Sequence, residues 1–417
     1  MNNLVLWLWL SLSCSVDTPT FSKLITAFGT PDEIYNADEK KIRSVIGSHV
    51  SDYSKLIDKD LSRARSIYEF CTSRGVGILT YSDPRFPELL RQIPTPPVLL
   101  YYRGHLPDFN SGFRCSIVGT RYLSDYGRKN AFAFGYDMAS AGATVVSGMA
   151  IGIDSVALGG ALAAGGVTIA VLGSGIDVCY PIQHRRLAQE IVKRGCVFTE
   201  YPPGTKPEKV NFPKRNRLIS GLSAVTIVIE GPERSGASFT ARYAKEQGRT
   251  VYALPGNVGN VGSQLTNLLI KNGANLCTAA DDIVRDFGDK SMGALNPHKL
   301  PIRIPVNMHS VVRELEISCV TPSDDIFRTP RPKKRESVKS HAVKDTNFEP
   351  KVEPDLSSFD KEAISIYKKI PYGEDCAIDE LVDDAHDLRT VSRILLKLEM
   401  GRFIKMLPGD RVKRNNQ

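Results

Sequence analysis

At 417 residues, with 54 Lys and Arg against 46 Asp and Glu, the chain carries a formal charge of +8 at pH 7. It has room for two or three domains at roughly 150 residues each, and a 42% hydrophobic, 8% aromatic composition excludes a disordered or fibrous chain. Cys14, Cys71, Cys115, Cys179, Cys196, Cys277, Cys319 and Cys376 form no CxxC pair, which argues for a reducing, cytoplasmic setting and against a disulfide scaffold or a structural zinc site.

The apolar stretch Met1 to Leu12 contains two tryptophans but lacks a basic leading region and is too short to span a bilayer. It reads as the core-facing first helix of a small helical domain, residues 1–72, in which apolar positions recur at three- and four-residue spacing through Phe21 to Ile25 and Leu61 to Phe70. Pro84, Pro87, Pro94, Pro96 and Pro97 mark an irregular passage into the next domain.

From residue 75 to 287 the pattern alternates. Strands are predicted at Cys115–Val118, Ala143–Val146, Val167–Leu172, Cys196–Thr199, Ala224–Glu230 and Thr250–Leu254, with helices such as Tyr126 to Ala141, Ile151 to Ala164 and Ser238 to Gln247 between them. That alternation implies an α/β fold with a parallel sheet covered on both faces. Ligands of such sheets bind outside the carboxyl ends of the strands. Residues 288–355 are rich in Pro, Lys, Ser and Asp, include the basic run Thr329 to Arg335, and read as a mobile linker. The last domain, 356–417, shows three short helical stretches, Lys361 to Ile370, Ile378 to Ala385 and Thr390 to Met400. A hairpin follows near Gly401 to Asp410, which is a winged-helix arrangement suited to duplex DNA or to a protein partner.

The chemistry concentrates in the central domain. Asn211-Phe212-Pro213-Lys214-Arg215-Asn216-Arg217 sets an aromatic ring among three cations, with Lys206 and Lys209 just upstream. A ring offers a base a stacking face and the cations answer phosphates, the minimal means of holding a single-stranded nucleic acid. Glycine-rich turns follow neighbouring strands at Gly119-Thr120-Arg121, at Ser147-Gly148-Met149-Ala150-Ile151-Gly152-Ile153-Asp154 and at Gly173-Ser174-Gly175. Such turns admit close backbone approach to a ligand. No GxGxxG stands in the first β–α turn. The P-loop-like Gly231 to Ser238 has Ala237 in place of the lysine that would face β- and γ-phosphates, so an anion-cradling turn remains but ATP hydrolysis does not. The histidines show no HExxH spacing, and Asp154 reads as a brace of its loop or as a general base. No cofactor or metal is expected.

These segments resemble the DprA/Smf family of DNA-processing proteins. The resemblance is carried by Ser116 to Arg121, Ser147 to Asp154, Thr168 to Asp177, Tyr180-Pro181, Glu200 to Gly204, Phe212 to Arg217, Ser235 to Ser238, Gly248-Arg249 and Pro255-Gly256-Asn257, in the family's order over roughly residues 80 to 285. It implies an extended Rossmann-like domain that binds single-stranded DNA and dimerises, a small helical (SAM-like) domain before it and a winged-helix-like domain after it. It further implies a non-catalytic role in natural transformation and recombination, in which the strand is protected and RecA recombinase is loaded onto it. By motif match, Arg121, Lys209 and Phe212 fall on DNA-contacting positions, Arg215, Asn216 and Arg217 on the residues that follow, and Ser147, Gly148 and Gly152 on the loop facing the strand. The chain departs from the family pattern at Leu158, usually His, at His184, usually Asn, and at Leu265, usually Gly.

Two other readings compete. The turn Pro255-Gly256-Asn257-Val258-Gly259 is similar to turns of nucleoside-monophosphate phosphoribohydrolases, but Asn260, Ser263 and Gln264 follow where such an enzyme needs a carboxylate. Release of free base from a nucleoside monophosphate would favour that enzyme. In the third reading the chain is a structural adaptor, favoured if residues 355–417 alone bind a partner.

Overall fold

The strands form where short, nearly unbroken apolar runs can be buried on both sides. The structure is a computed structural model that describes residues 3–48, 51–288, 294–301, 304–318, 359–370, 375–382, 387–401, 403–407 and 411–414. Nine strands make one sheet: β1 (Gly77–Thr80), β2 (Leu99–Gly104), β3 (Arg114–Val118), β4 (Thr144–Ser147), β5 (Thr168–Val171), β6 (Cys196–Thr199), β7 (Val225–Val228), β8 (Thr250–Ala253) and β9 (Asn275–Leu276). Their order is β1-β2-β6-β5-β4-β3-β7-β8-β9. Strands β3 to β9 run parallel, and β2 is antiparallel to both of its neighbours, β1 and β6. Alternate residues serve opposite layers: Ala170 joins the core that also holds the N-terminal helices, and Ile169 and Val171 join the core on the other face.

The chain order reverses beside β3, whose neighbours are β4 on one side and β7 on the other. That reversal splays the two following loops apart and opens a crevice at the carboxyl ends of β3 and β7.

Among the described residues six helices precede β1, from Asn3–Ser13 to Ser62–Ser73. The first buries Leu6, Trp7, Leu8, Trp9 and Leu10, which explains its apolar composition without a membrane. Among the described residues no helix is long and apolar enough to cross one.

The linker expected from residue 288 differs in the structure. Residues 304–318, with a helix at Met308–Glu314, pack on the sheet domain and bury Leu315 and Ile317 against Gly159. Leu295 is buried as well, and Asn296 N–H donates to the Ala141 carbonyl at 2.8 Å. Composition taken over the whole of 288–355 hid this, because residues 304–318 are themselves rich in apolar side chains and Ile304, Val306, Met308, Val311 and Val312 pack on the core beside Leu315 and Ile317. The basic run 329–335 lies outside the described residues.

The chain divides into two compact units at Asp325/Ile326. In the second, helices Lys361–Lys369 and Leu388–Met400 accompany β10 (Asp375–Ala377), β11 (Ile404–Leu407) and β12 (Arg411–Arg414) in a sheet of order β10-β12-β11. Val391, Ile394, Leu395 and Leu398 are all buried there. The middle helical stretch, expected at Ile378 to Ala385, is a short 3-10 turn at Ile378–Leu381, and residues 383–386 lie outside the description.

Candidate nucleic-acid interface

The crevice beside β3 is an open cleft of about 590 Å³. Its walls come from the turn after β3, the loop after β4, the helix Asn211–Gly221 and the turn Pro232 to Ala237 after β7.

Local bonds hold each wall. The Thr120 N–H donates to the Glu230 carbonyl at 2.8 Å, and the Glu230 carboxylate accepts the Ser124 N–H at 3.0 Å, so the turn bearing Arg121 is tied to the end of β7. Ser124 then caps the helix Asp125–Ser140 by accepting the Gly127 N–H. The loop after β4 closes on itself: Asp154 Oδ2 accepts the Gly148 N–H at 3.1 Å, which identifies Asp154 as a brace. Burial pushes the Asp154 carboxyl up, while Arg215 and the N–H groups of Ala150 and Gly148 pull it down. A Cβ on Gly148 would stand 2.5 Å from Arg215 Nη2. Gly152 takes φ +96°, where a Cβ would meet the Thr120 carbonyl at 2.4 Å.

Phe212 sits near the start of the helix rather than in a loop, half-buried against Gly173. The Arg121 guanidinium carbon lies 5.5 Å from its ring centroid, that of Arg215 5.9 Å, and the Tyr180 ring 5.4 Å. Arg121 and Lys209 are exposed and make no ion pair among the described residues; Tyr180 is 40% exposed. An aromatic pair flanked by two unpaired cations can stack a base and neutralise its phosphates.

The cations within the Asn211 to Arg217 run are placed otherwise. Lys214 Nζ pairs with Asp17 of the N-terminal helical region at 3.1 Å. Arg215 is 3% exposed and donates to the carbonyls of Gly148 and Val171, with burial lowering its guanidinium to about 10 against the opposing pull of Asp154. Arg217, also 3% exposed, donates to Glu200 Oε2 at 2.5 Å. Arg215 thus forms the floor of the cleft through its neighbours, while Arg217 holds Glu200 away from it. Asn216 lines the cleft and its amide donates to the Gly236 carbonyl at 3.3 Å. Ser147 is fully buried, its Oγ donating to the Ile117 carbonyl at 2.7 Å, and so fastens β4 to β3.

Sequence reasoning assigned no role to Tyr180 or to Arg234, both of which line the cleft. Tyr180 stands in the Tyr180-Pro181 motif and Arg234 in the P-loop-like turn after β7, and these positions on loops that follow strands are the signal the sequence offers. His184, one of the departures, has a definite role. Its Nδ1 donates to the Met149 carbonyl at 2.9 Å and its Nε2 accepts the Ser318 N–H at 3.0 Å. The ring therefore joins the glycine loop to the strap at 318. Burial lowers its pKa, favouring the neutral ring that this pairing requires.

Residues 77–288 match the family model for DNA recombination-mediator protein A. Among relatives, the chain is 39% identical over 242 residues to Protein Smf of Synechocystis, covering 56% of this chain and 61% of that one. It is 44% identical over 192 residues to Protein Smf of Escherichia coli, covering 46% and 51% respectively. These matches span half to three fifths of the relatives' length. The X-ray structure of DNA processing protein A from Streptococcus pneumoniae matches with TM-score 0.59 and 30% identity over 69% of this chain and 98% of that one.

Proposed function

The chain belongs to the DNA recombination-mediator protein A family, and on that premise we propose that it binds single-stranded DNA in the cleft beside β3, without sequence preference, and delivers it to recombination. The observation that carries this reading is the half-exposed Phe212 ring, faced by the unpaired Arg121 guanidinium and flanked by Tyr180. A π-face accepts any base, and cations at the rim answer the backbone rather than the sequence. Lys209 supplies a further phosphate contact. Gly148, Gly152 and Ser147 shape the loop on which the strand lies, Arg215 and Asn216 support it from below, and Arg217 acts one step further back, through Glu200.

The role is one of holding rather than of bond making. The Pro255-Gly256 turn, where a nucleotide-processing enzyme would place its acid, is occupied by Asn267, which both donates to and accepts from Gly256. The mediator works as a homodimer in the cytoplasm, protects the strand and loads a RecA-type recombinase, while the second unit takes a winged-helix role toward duplex DNA or a protein.

The test is fluorescence anisotropy with labelled oligo(dT) and its duplex across a salt series, for the unaltered chain, Phe212→Ala and Arg121→Ala. Salt-sensitive preference for the single strand, weakened in both variants, is expected. Equal binding by all three proteins would remove the cleft from the function.

A further inference from the structure

A second cavity, of about 550 Å³, lies on the other side of the segment Ile176 to Ile182 from the cleft. Its floor is apolar, built from Met149, Ile176 and Cys179 among others, and its charged lining residues are Arg74, Arg103, Arg185 and Asp177. The acid is already engaged, since Asp177 Oδ1 accepts the Gly204 N–H at 2.8 Å. The three arginines are exposed and form no ion pair among the described residues. An apolar hollow of this size rimmed by guanidinium groups fits a flat, weakly polar group carrying an anion, because guanidinium both pairs with phosphate and stacks on planar rings.

The wall between cavity and cleft is thin in sequence and in space. Tyr180, at the cleft, adjoins Cys179, in the cavity; Gly148, in the recess beneath Phe212, adjoins Met149, in the cavity. We infer that a single strand leaving the Phe212 cleft passes over Tyr180 and places a further nucleotide in this cavity, its phosphates met by Arg103 and Arg185. The binding path thereby reaches the junction with the N-terminal helices, where Arg74 stands. This extension rests on the single-strand reading above.

The full-length chain and the double variant Arg103→Glu/Arg185→Glu would be titrated with dT strands of about 4 and about 16 nucleotides, the ends of the usual range of site sizes. The longer strand is expected to bind the variant more weakly, with the log–log salt slope shallower by about 1.4, since each neutralised phosphate of a single strand contributes about 0.7. Affinity for the short strand should not change. In a parallel arm, a 4-thiothymine-bearing long strand irradiated on the unaltered protein should cross-link within residues 182–192, beyond the cleft residues Tyr180 and Pro181. If the long strand binds the double variant with the same affinity and slope, or cross-links map only to the cleft side, the extension is wrong while the cleft stands. If the unaltered chain binds neither strand, both readings fall together.

Discussion

Phe212 and Arg121 carry the strand contact in the proposed reading, and they stand on opposite walls of the cleft. Replacing Phe212 by Ala removes a stacking face and should cost about 1–3 kcal/mol of single-strand affinity. Anisotropy measures this, and an unchanged melting temperature would separate lost contact from lost fold. Arg217 sits two residues beyond Arg215 yet belongs to a different problem. It and Glu200 are a buried pair, so Glu200→Gln leaves an uncompensated cation and should lower stability by about 3–5 kcal/mol, read by urea denaturation. Asp137 offers a pH test. Its Oδ1 is buried without a partner among the described residues, and burial raises the carboxyl to about 6. The folded state therefore holds a proton that the unfolded chain releases, so this residue's contribution falls as pH rises through 6 and recovers toward pH 4. Asp137→Asn should raise the melting temperature at pH 7–8, with the advantage vanishing near pH 4. A constant difference across that range would contradict the assignment.

At the scale of elements, the strap 304–318 and the loop after β4 act together. His184 couples them: its neutral ring accepts from Ser318 and donates to Met149, while the Gly152 N–H reaches the Ser318 carbonyl at 3.4 Å. His184→Ala leaves a buried carbonyl and a partly buried N–H without their partner, at a cost of about 1–3 kcal/mol. Proteolysis of that variant should cut within 304–318 before the sheet domain, whereas the unaltered chain should resist there. Equal cleavage would mean that Leu315 and Ile317 hold the strap without the histidine. The antiparallel strands β1 and β2 show a related dependence on context. β2 pairs with β6 and β1 forms the sheet edge beyond it, and the proline-rich run between β1 and β2 contributes Phe86 and Leu90 to the core.

For the whole molecule, the boundary at Asp325 separates the two cores on either face of the sheet from the core of the second unit. A chain ending at 325 retains the cleft and the strap, and its affinity for oligo(dT) should equal that of the full chain. If about four phosphates are neutralised, the log–log salt slope is near −3 for both, because single strands contribute about 0.7 per phosphate. Loss of binding in the shortened chain would assign part of the strand contact to the C-terminal unit.

The order of strands and helices from Cys115 to Leu254 was legible in the sequence, since a strand buried on both faces must be apolar along its length and glycine must mark the turns that follow. The identity of the cleft residues was legible in part. Phe212, Lys209 and Arg121 stand out because an aromatic ring and cations recur among the loops and turns that follow the strands of the sheet. What the sequence by itself could not determine is which way a cation points. Arg121 and Arg217 are the same residue type in basic, polar surroundings. One faces the cleft and the other pairs with Glu200, because the orientation of the helix Asn211–Gly221 is set by packing against strands distant in the chain. The strap at 304–318 was hidden for the same reason. Its apolar residues, among them Val311, Val312, Leu315 and Ile317, are diluted by the polar sequence around them, and only the tertiary fold supplies the surface on which they are buried.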